Sequence, residues 1–151
     1  MTNTAAKPVS LAGALFDQET FSQAKATRTG REKPTILLVE DDSMTTLLLQ
    51  RQLKDYTTYV AHTAKEALRL YAWNAPDICF LDIGLPDASG LELLEVIHAR
   101  DPDAFAVMLT ANSSHQNLME SVKNGVQGFI AKPFTLAKID QYIKRFEQRQ
   151  A

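Results

Sequence analysis

The sequence predicts an α/β protein: a doubly wound, five-stranded parallel sheet with helices on both faces. Three observations predict it. From Pro34 onward, strand-like and helix-like segments alternate without a break. The runs Ile36-Leu37-Leu38-Val39, Ile78-Cys79-Phe80-Leu81 and Ala106-Val107-Met108-Leu109 are continuously apolar, the pattern of strands covered on both faces. Five βα units joined by short loops imply right-handed crossovers and therefore parallel strands. The order 2-1-3-4-5 closes such a sheet, with its switch point between strands one and three.

Strands are read at 35–39, 57–61, 77–81, 105–109 and 127–131. Thr57-Thr58-Tyr59-Val60 is less apolar and β-branched, which suits an edge. Ser43 can cap a helix over 44–54, with Met44, Leu47, Leu48 and Leu49 as its apolar stripe. Thr63 and Glu66 have capping-box spacing before Ala67-Leu68-Arg69-Leu70-Tyr71, and Tyr71 and Trp73 are expected to pack at the end of that helix. Residues 90–99 repeat apolar positions at Leu91, Leu94, Val96 and Ile97. Ser114 can cap 115–123, which stops at Asn124-Gly125. Thr135 opens a last helix with Leu136, Ile139, Tyr142, Ile143 and Phe146 on one face.

The first 33 residues differ in composition. They hold five basic and three acidic residues, a net +2, whereas 34–151 hold eleven and fifteen, a net −4. A boundary at Pro34 follows: an N-terminal extension over 1–33 and one domain over 34–151. Ala, Thr, Lys, Gly and Ser dominate the extension, so disorder is the default expectation. The alternative is a short docking helix around residues 10–21, which carry Leu11, Leu15, Phe16 and Phe21. After the fifth helix only a few polar residues remain, so no output domain is expected. A formal charge of −2 and a pI near 5.9 argue against nucleic acid or anionic membrane as partners by bulk electrostatics. Apolar stretches are strand-length, short of the ~20 residues needed to span a bilayer, and no secretory leader is visible. The lone Cys79 reads as a small buried hydrophobe. A reducing cytoplasm is the expected compartment.

Four strand-like runs end at polar residues that chemistry can use: Glu40-Asp41-Asp42, Asp82, Thr110-Ala111 and Lys132-Pro133. A parallel sheet gathers such ends on one rim, where open α/β folds bind ligands. Adjacent acids after a buried strand are costly unless solvated, paired or bound to a cation. Mg²⁺ takes oxygen ligands and only one or two protein carboxylates, which Glu40, Asp41 and Asp82 can supply. One of the three acids 40–42 can instead cap the next helix, and Asp42 is the choice for that role. Beside a metal, Asp82 can act as a nucleophile toward phosphorus. Lys132 would then neutralise the transferring group and Thr110 would donate to it. Two other readings use the same residues. A small phosphatase with an aspartyl-phosphate intermediate needs a second acid where Gly84 stands. A flavin-binding or structural module conflicts with the acid cluster, which would repel a flavin phosphate. His62, His98 and His115 lack ligand spacing and read as surface residues.

With these motifs in hand, the chain resembles the receiver domains of two-component response regulators, over about residues 35–147. The likeness rests on Leu37-Leu38-Val39-Glu40-Asp41-Asp42, Leu81-Asp82-Ile83-Gly84-Leu85-Pro86 with Gly90, Leu109-Thr110-Ala111 and Lys132-Pro133-Phe134, in order and at matching spacing. The flavodoxin-like (βα)5 architecture with strand order 2-1-3-4-5 is the one described for chemotaxis members of this family, so that order is shared with the resemblance. The resemblance implies that Asp82 is the phosphoacceptor. It implies that Glu40, Asp41, Asp82 and the Gly84 carbonyl serve Mg²⁺, and that Thr110, Ala111, Lys132 and Phe129 form the phosphate-binding and switch set. It also implies a stand-alone phosphoacceptor signalling domain, catalysing only its own phosphorylation and dephosphorylation. Its partners would be a histidine kinase or phosphotransfer protein and a downstream protein target. The message would leave by a surface change at the fourth helix, fifth strand and fifth helix. Direct nucleic acid binding and membrane insertion are not expected. Three features depart from common family patterns. Gly84 offers no side chain near an attacking water, Val126-Gln127-Gly128 lacks an acid before the aromatic, and Phe129 has no hydroxyl.

Overall fold

The computed structural model of the protein describes residue 11, residues 16–111 and residues 125–150. Five strands, β1 (Ile36–Val39), β2 (Thr58–Ala61), β3 (Ile78–Asp82), β4 (Ala106–Thr110) and β5 (Gly128–Ala131), form one sheet in the order β2-β1-β3-β4-β5. Every pairing is parallel. This is the doubly wound order expected from the sequence, with the less apolar β2 on one edge.

Among the described residues the α-helices are α1 (Gln18–Ala26), α2 (Ser43–Gln52), α3 (Ala64–Asn74), α4 (Gly90–Arg100) and α5 (Leu136–Gln150). Alternation of side chains along the strands divides the core in two. Leu37, Val39, Cys79, Leu81, Ala106 and Met108 face one layer, with Leu68 and Tyr71 of α3 and Leu93, Leu94 and Ile97 of α4. Ile36, Leu38, Ile78, Phe80, Val107, Leu109 and Ile130 face the other, with Leu49 of α2 and Ile139, Ile143 and Phe146 of α5. Cys79 is buried, and burial pushes its thiol pKa far up. Among the described residues no helix is long and apolar enough to cross a membrane.

Several local expectations change. Residues 16–33 depart from the expected disorder. Gln18–Ala26 is helical, a 3-10 turn covers Thr27–Gly30, and Phe16, Phe21 and Leu11 are buried in the layer that holds Tyr71. Phe16 and Phe21, on which the docking-helix alternative rests, lie against Tyr71 of α3. The cap of α2 is Asp42, whose carboxylate accepts from the Met44 amide and the Thr45 hydroxyl, and Ser43 is the first helical residue. That start sets the helix phase so that Thr46, Leu49 and Leu53 face the sheet, while Met44, Leu47 and Leu48 are exposed. Trp73 is exposed too, one position of α3 away from buried Ala72. Leu136 begins α5 at the surface. Thr63 caps α3 as expected, but Glu66 reaches back to the His62 amide (2.8 Å) rather than to that of Thr63. The helix expected over 115–123 lies outside the described residues.

Candidate functional site

The register of the sheet levels the strand ends. Val39 pairs with Leu81, Asp82 with Leu109 and Thr110 with Ala131. The Lys132 amide continues the ladder by one step, donating to the Thr110 carbonyl at 2.8 Å. Parallel pairing thus brings Glu40, Asp82, Thr110 and Lys132, up to 92 positions apart in the sequence, to one rim.

Glu40 is 1% exposed. Its Oε2 accepts from the Asp42 amide at 3.0 Å. Its Oε1 is buried with no aligned hydrogen bond, although Nζ of Lys132 lies 2.5 Å away; the contact is one of charge. Asp82, 5% exposed at the end of β3, accepts at Oδ1 from the Gly84 amide (3.2 Å) and at Oδ2 from Lys132 (3.2 Å). Lys132 therefore sits between two buried carboxylates. Burial works against its charge, but Glu40 and Asp82 outweigh that and hold its pKa above the ordinary lysine value. Asp41 is exposed, and contact with the Glu40 carboxyl, helped by partial desolvation and charge repulsion, raises its pKa.

One carboxylate oxygen from each of Glu40, Asp41 and Asp82 lies within 4.8 Å of the others. A crowded set of hard oxygen donors, one of them held only by the Lys132 ammonium and another driven toward protonation by its neighbour, is stabilised by a divalent cation. The residues present fit Mg²⁺. The third acid of the run, Asp42, is occupied with capping α2, and its bond to Thr45 lowers its pKa.

The remaining expected residues also reach this rim or its flank. Thr110 is 2% exposed at the end of β4, and Ala111 follows at the surface. Gly84 is exposed, and among the described residues a Cβ there would meet nothing within 4 Å. Phe129 lies on the edge strand β5, pointing out with 37% of its surface exposed. The Lys132–Pro133 peptide is cis.

Three neighbours take roles that the sequence did not assign to them, and His62, expected at the surface, is half-buried. Gly90 packs directly beneath the site: a Cβ there would come within 2.0 Å of the Asp82 carbonyl oxygen, so only glycine permits that approach. Asp87, in the loop after Asp82, caps α3 by accepting from the amides of Ala64 (2.8 Å) and Lys65 (3.0 Å). His62 places Nδ1 2.9 Å from the Glu40 carbonyl oxygen. The pairing of Val39 with Ala61 was the signal that could have found His62, since it sets the next residues of β1 and β2 side by side.

A model of the response regulator receiver domain matches residues 36–144. The chain is 31% identical over 113 residues to the chemotaxis protein CheY of Listeria monocytogenes, covering 73% of this chain and 95% of that protein. It is 32% identical over 124 residues to the transcriptional regulatory protein PrrA of Mycobacterium tuberculosis, covering 81% of this chain and 53% of that protein. The chain thus spans about half the length of that relative. Among solved structures, the non-phosphorylated HemR receiver domain from Leptospira biflexa is similar at a TM-score of 0.70 and 37% identity, covering 76% of this chain and 94% of that one. A CheY-like receiver domain protein from Methanospirillum hungatei is similar at a TM-score of 0.72 and 30% identity, covering 78% and 99%. With the matched span taking in all five strands and the rim they build, this chain belongs to the response regulator receiver domain family.

Proposed function

We propose that Asp82 accepts a phosphoryl group from a histidine kinase or phosphotransfer protein, and that the resulting charge changes a surface read by a protein partner. The observation that carries this reading is the position of Asp82: a buried carboxylate 3.2 Å from the Lys132 ammonium, within 4.8 Å of the Glu40 and Asp41 oxygens, with open space over Gly84. One Asp82 oxygen attacks phosphorus of a phosphohistidine. The P–O bond forms as the P–N bond breaks, and the imidazole departs. Glu40, Asp41, Asp82 and the Gly84 carbonyl hold Mg²⁺, which when bound offsets negative charge on the transferring group. Lys132 exchanges its contact with Asp82 for one with a phosphoryl oxygen. Thr110 and the Ala111 amide receive another. Later attack of water on phosphorus releases phosphate and restores Asp82, and the space over Gly84 admits that water.

The added charge, about −1.5 to −2 at neutral pH, draws the Thr110 hydroxyl toward the site and leaves room for Phe129 to turn inward from the exposed position it occupies here. That is a two-state element of the kind charge switches bias. Exposed Met44, Leu47 and Leu48 on α2 begin beside the rim and suit the apolar contact a phosphodonor protein needs. The single buried cysteine is consistent with action in a reducing cytoplasm.

Incubation of the full chain with acetyl phosphate and Mg²⁺, followed by intact-mass analysis, tests the reading. One added phosphoryl group on the wild type and none on Asp82→Asn is the expected result. An unchanged adduct on Asp82→Asn, or none on the wild type, rejects it.

A further inference from the structure

The extension supplies something the receiver body lacks. α3 ends at Asn74, and Ala75 takes the left-handed conformation (φ 43°, ψ 61°) while fully buried. The carbonyls freed at such a helix end need donors, and positive charge there is favoured. Here the donors are two arginines of the extension. Arg31 donates to the Asn74 carbonyl (2.8 Å) and, with Arg28, to that of Ala75 (2.8 and 3.0 Å), while Arg28 also donates to the Pro76 carbonyl (2.9 Å).

The same arginines neutralise two buried acids. Asp101, with no exposed surface, accepts from Arg28 (2.9 Å), from Lys25 (3.0 Å) and from the Tyr71 hydroxyl (2.7 Å). Asp77 pairs with Arg31 at 2.8 Å. Among the described residues, every cation on these two carboxylates comes from residues 16–33. Aromatic packing fastens the other end: Phe21 stacks on Tyr71 (centroids 5.7 Å apart), and Phe16 lies 5.2 Å from Phe21.

We propose that the face formed by the C-terminal ends of α3 and α4 is a docking surface for a helical segment bearing paired aromatics and arginines, and that its occupant is this chain's own residues 16–33, held in cis. The segment is an integral strap that folds as one cooperative unit with α3 and keeps that face closed to other proteins. Burying a carboxylate without its cation is strongly unfavourable, so the body selects the strap as much as the strap selects the body. Only residues 34 and 35 separate it from β1, and Arg31 already contacts the Thr35 hydroxyl at 2.9 Å; so short a tether gives the cis arrangement a high effective concentration. The family model matches from residue 36, so the strap lies outside the span that this model covers. α3 is also the helix whose N-terminus Asp87 caps, so the strap and the loop after Asp82 hold its opposite ends.

Native-state hydrogen exchange on the full chain decides this. The amides of Phe21, Ala24 and Lys25 should exchange within about tenfold of those of Leu68 and Tyr71. Exchange of the strap about a thousandfold faster than a protected α3 overturns the proposal. Protection of the strap that falls on dilution places it on a second copy and overturns the cis assignment. In the Arg28→Ala/Arg31→Ala chain, α3 amides should exchange at least about tenfold faster while phosphoryl incorporation at Asp82 persists; unchanged α3 exchange also overturns the proposal. The wild-type measurement stands by itself if that variant does not fold, and neither exchange measurement depends on the phosphoacceptor reading.

Discussion

The two ends of the sheet both bury acidic side chains, and they treat them in opposite ways. Where the strands begin, Lys25, Arg28 and Arg31 serve Asp77, Asp101 and Asp103. Asp101 accepts at both oxygens, and Asp77 accepts at Oδ2 from Arg31 and from the Thr35 amide. Where the strands end, Lys132 is the one cation within ion-pair reach of Glu40 and Asp82 among the described residues. Asp41 crowds them, and one Glu40 oxygen has no aligned hydrogen bond. A saturated cluster holds the fold together. An undersaturated one is a site, because buried carboxylates short of positive charge are stabilised by an ion or group that arrives from outside.

Mutation at the two ends should separate them most sharply. Asp101→Ala removes the fully buried acceptor shared by Arg28, Lys25 and the Tyr71 hydroxyl and should destabilise the chain by about 3–5 kcal/mol, read as a lower urea midpoint at unchanged slope. Asp82→Asn at the rim should leave stability within about 1 kcal/mol of the wild type or raise it, since functional sites hold strained charge. Equal losses at both ends would erase the distinction.

Lys132→Met should show a smaller loss, about 2 kcal/mol without divalent cation, because Glu40 then lacks its nearby charge. Titration with Mg²⁺ should restore that stability, a gain of about 2.7 kcal/mol at a hundredfold excess over the dissociation constant. The sharpening observation is that the Mg²⁺-dependent rise in melting temperature exceeds that of the wild type. No Mg²⁺ effect in either chain would contradict the cation site.

Acid titration should expose opposite signs. Asp101 pays a desolvation penalty, yet Tyr71 and Arg28 hold its pKa below the usual value. Its contribution is therefore present above the unfolded aspartate pKa of about 3.9 and lost as pH falls through the lower folded value. Asp41 is raised, so it destabilises above its folded pKa, and that penalty is relieved as pH falls through it. Stability measured against pH should thus be shallower below about pH 4 in Asp101→Asn. In Asp41→Asn the opposing slope above that range should vanish. The smallest effect is expected from Thr63→Ala, which removes a cap of α3 (Oγ1 to the Glu66 amide, 3.1 Å) and should lower stability by about 1 kcal/mol without altering phosphoryl incorporation.

Much of the rim was legible because its signals are local. A continuous apolar run followed by an acid or lysine marks a buried strand and its exposed end, and parallel topology does the rest. Asp42 was readable as a cap for the same reason. The phase of α2 was not: Met44, Leu47, Leu48 and Leu49 offer more apolar positions than one face accepts, and the cap at Asp42 decided which turned inward. The strap was readable only as an alternative, a docking helix suggested by Leu11, Leu15, Phe16 and Phe21. Its partner was not: Arg28 and Asp101 are 73 residues apart, so nothing nearby in the chain announces the charge pairing. Asp87 and His62 were hidden likewise, each acting on a backbone group of another element.

By itself, then, the sequence determined the alternation of elements, the strand ends and the residue types at the rim, since hydrophobic period and capping act over a few positions. Only tertiary structure decided which acids are matched by cations and which are left short of them. Charge balance in a folded chain depends on distances between segments remote in sequence, and burial raises the stakes of each missing partner.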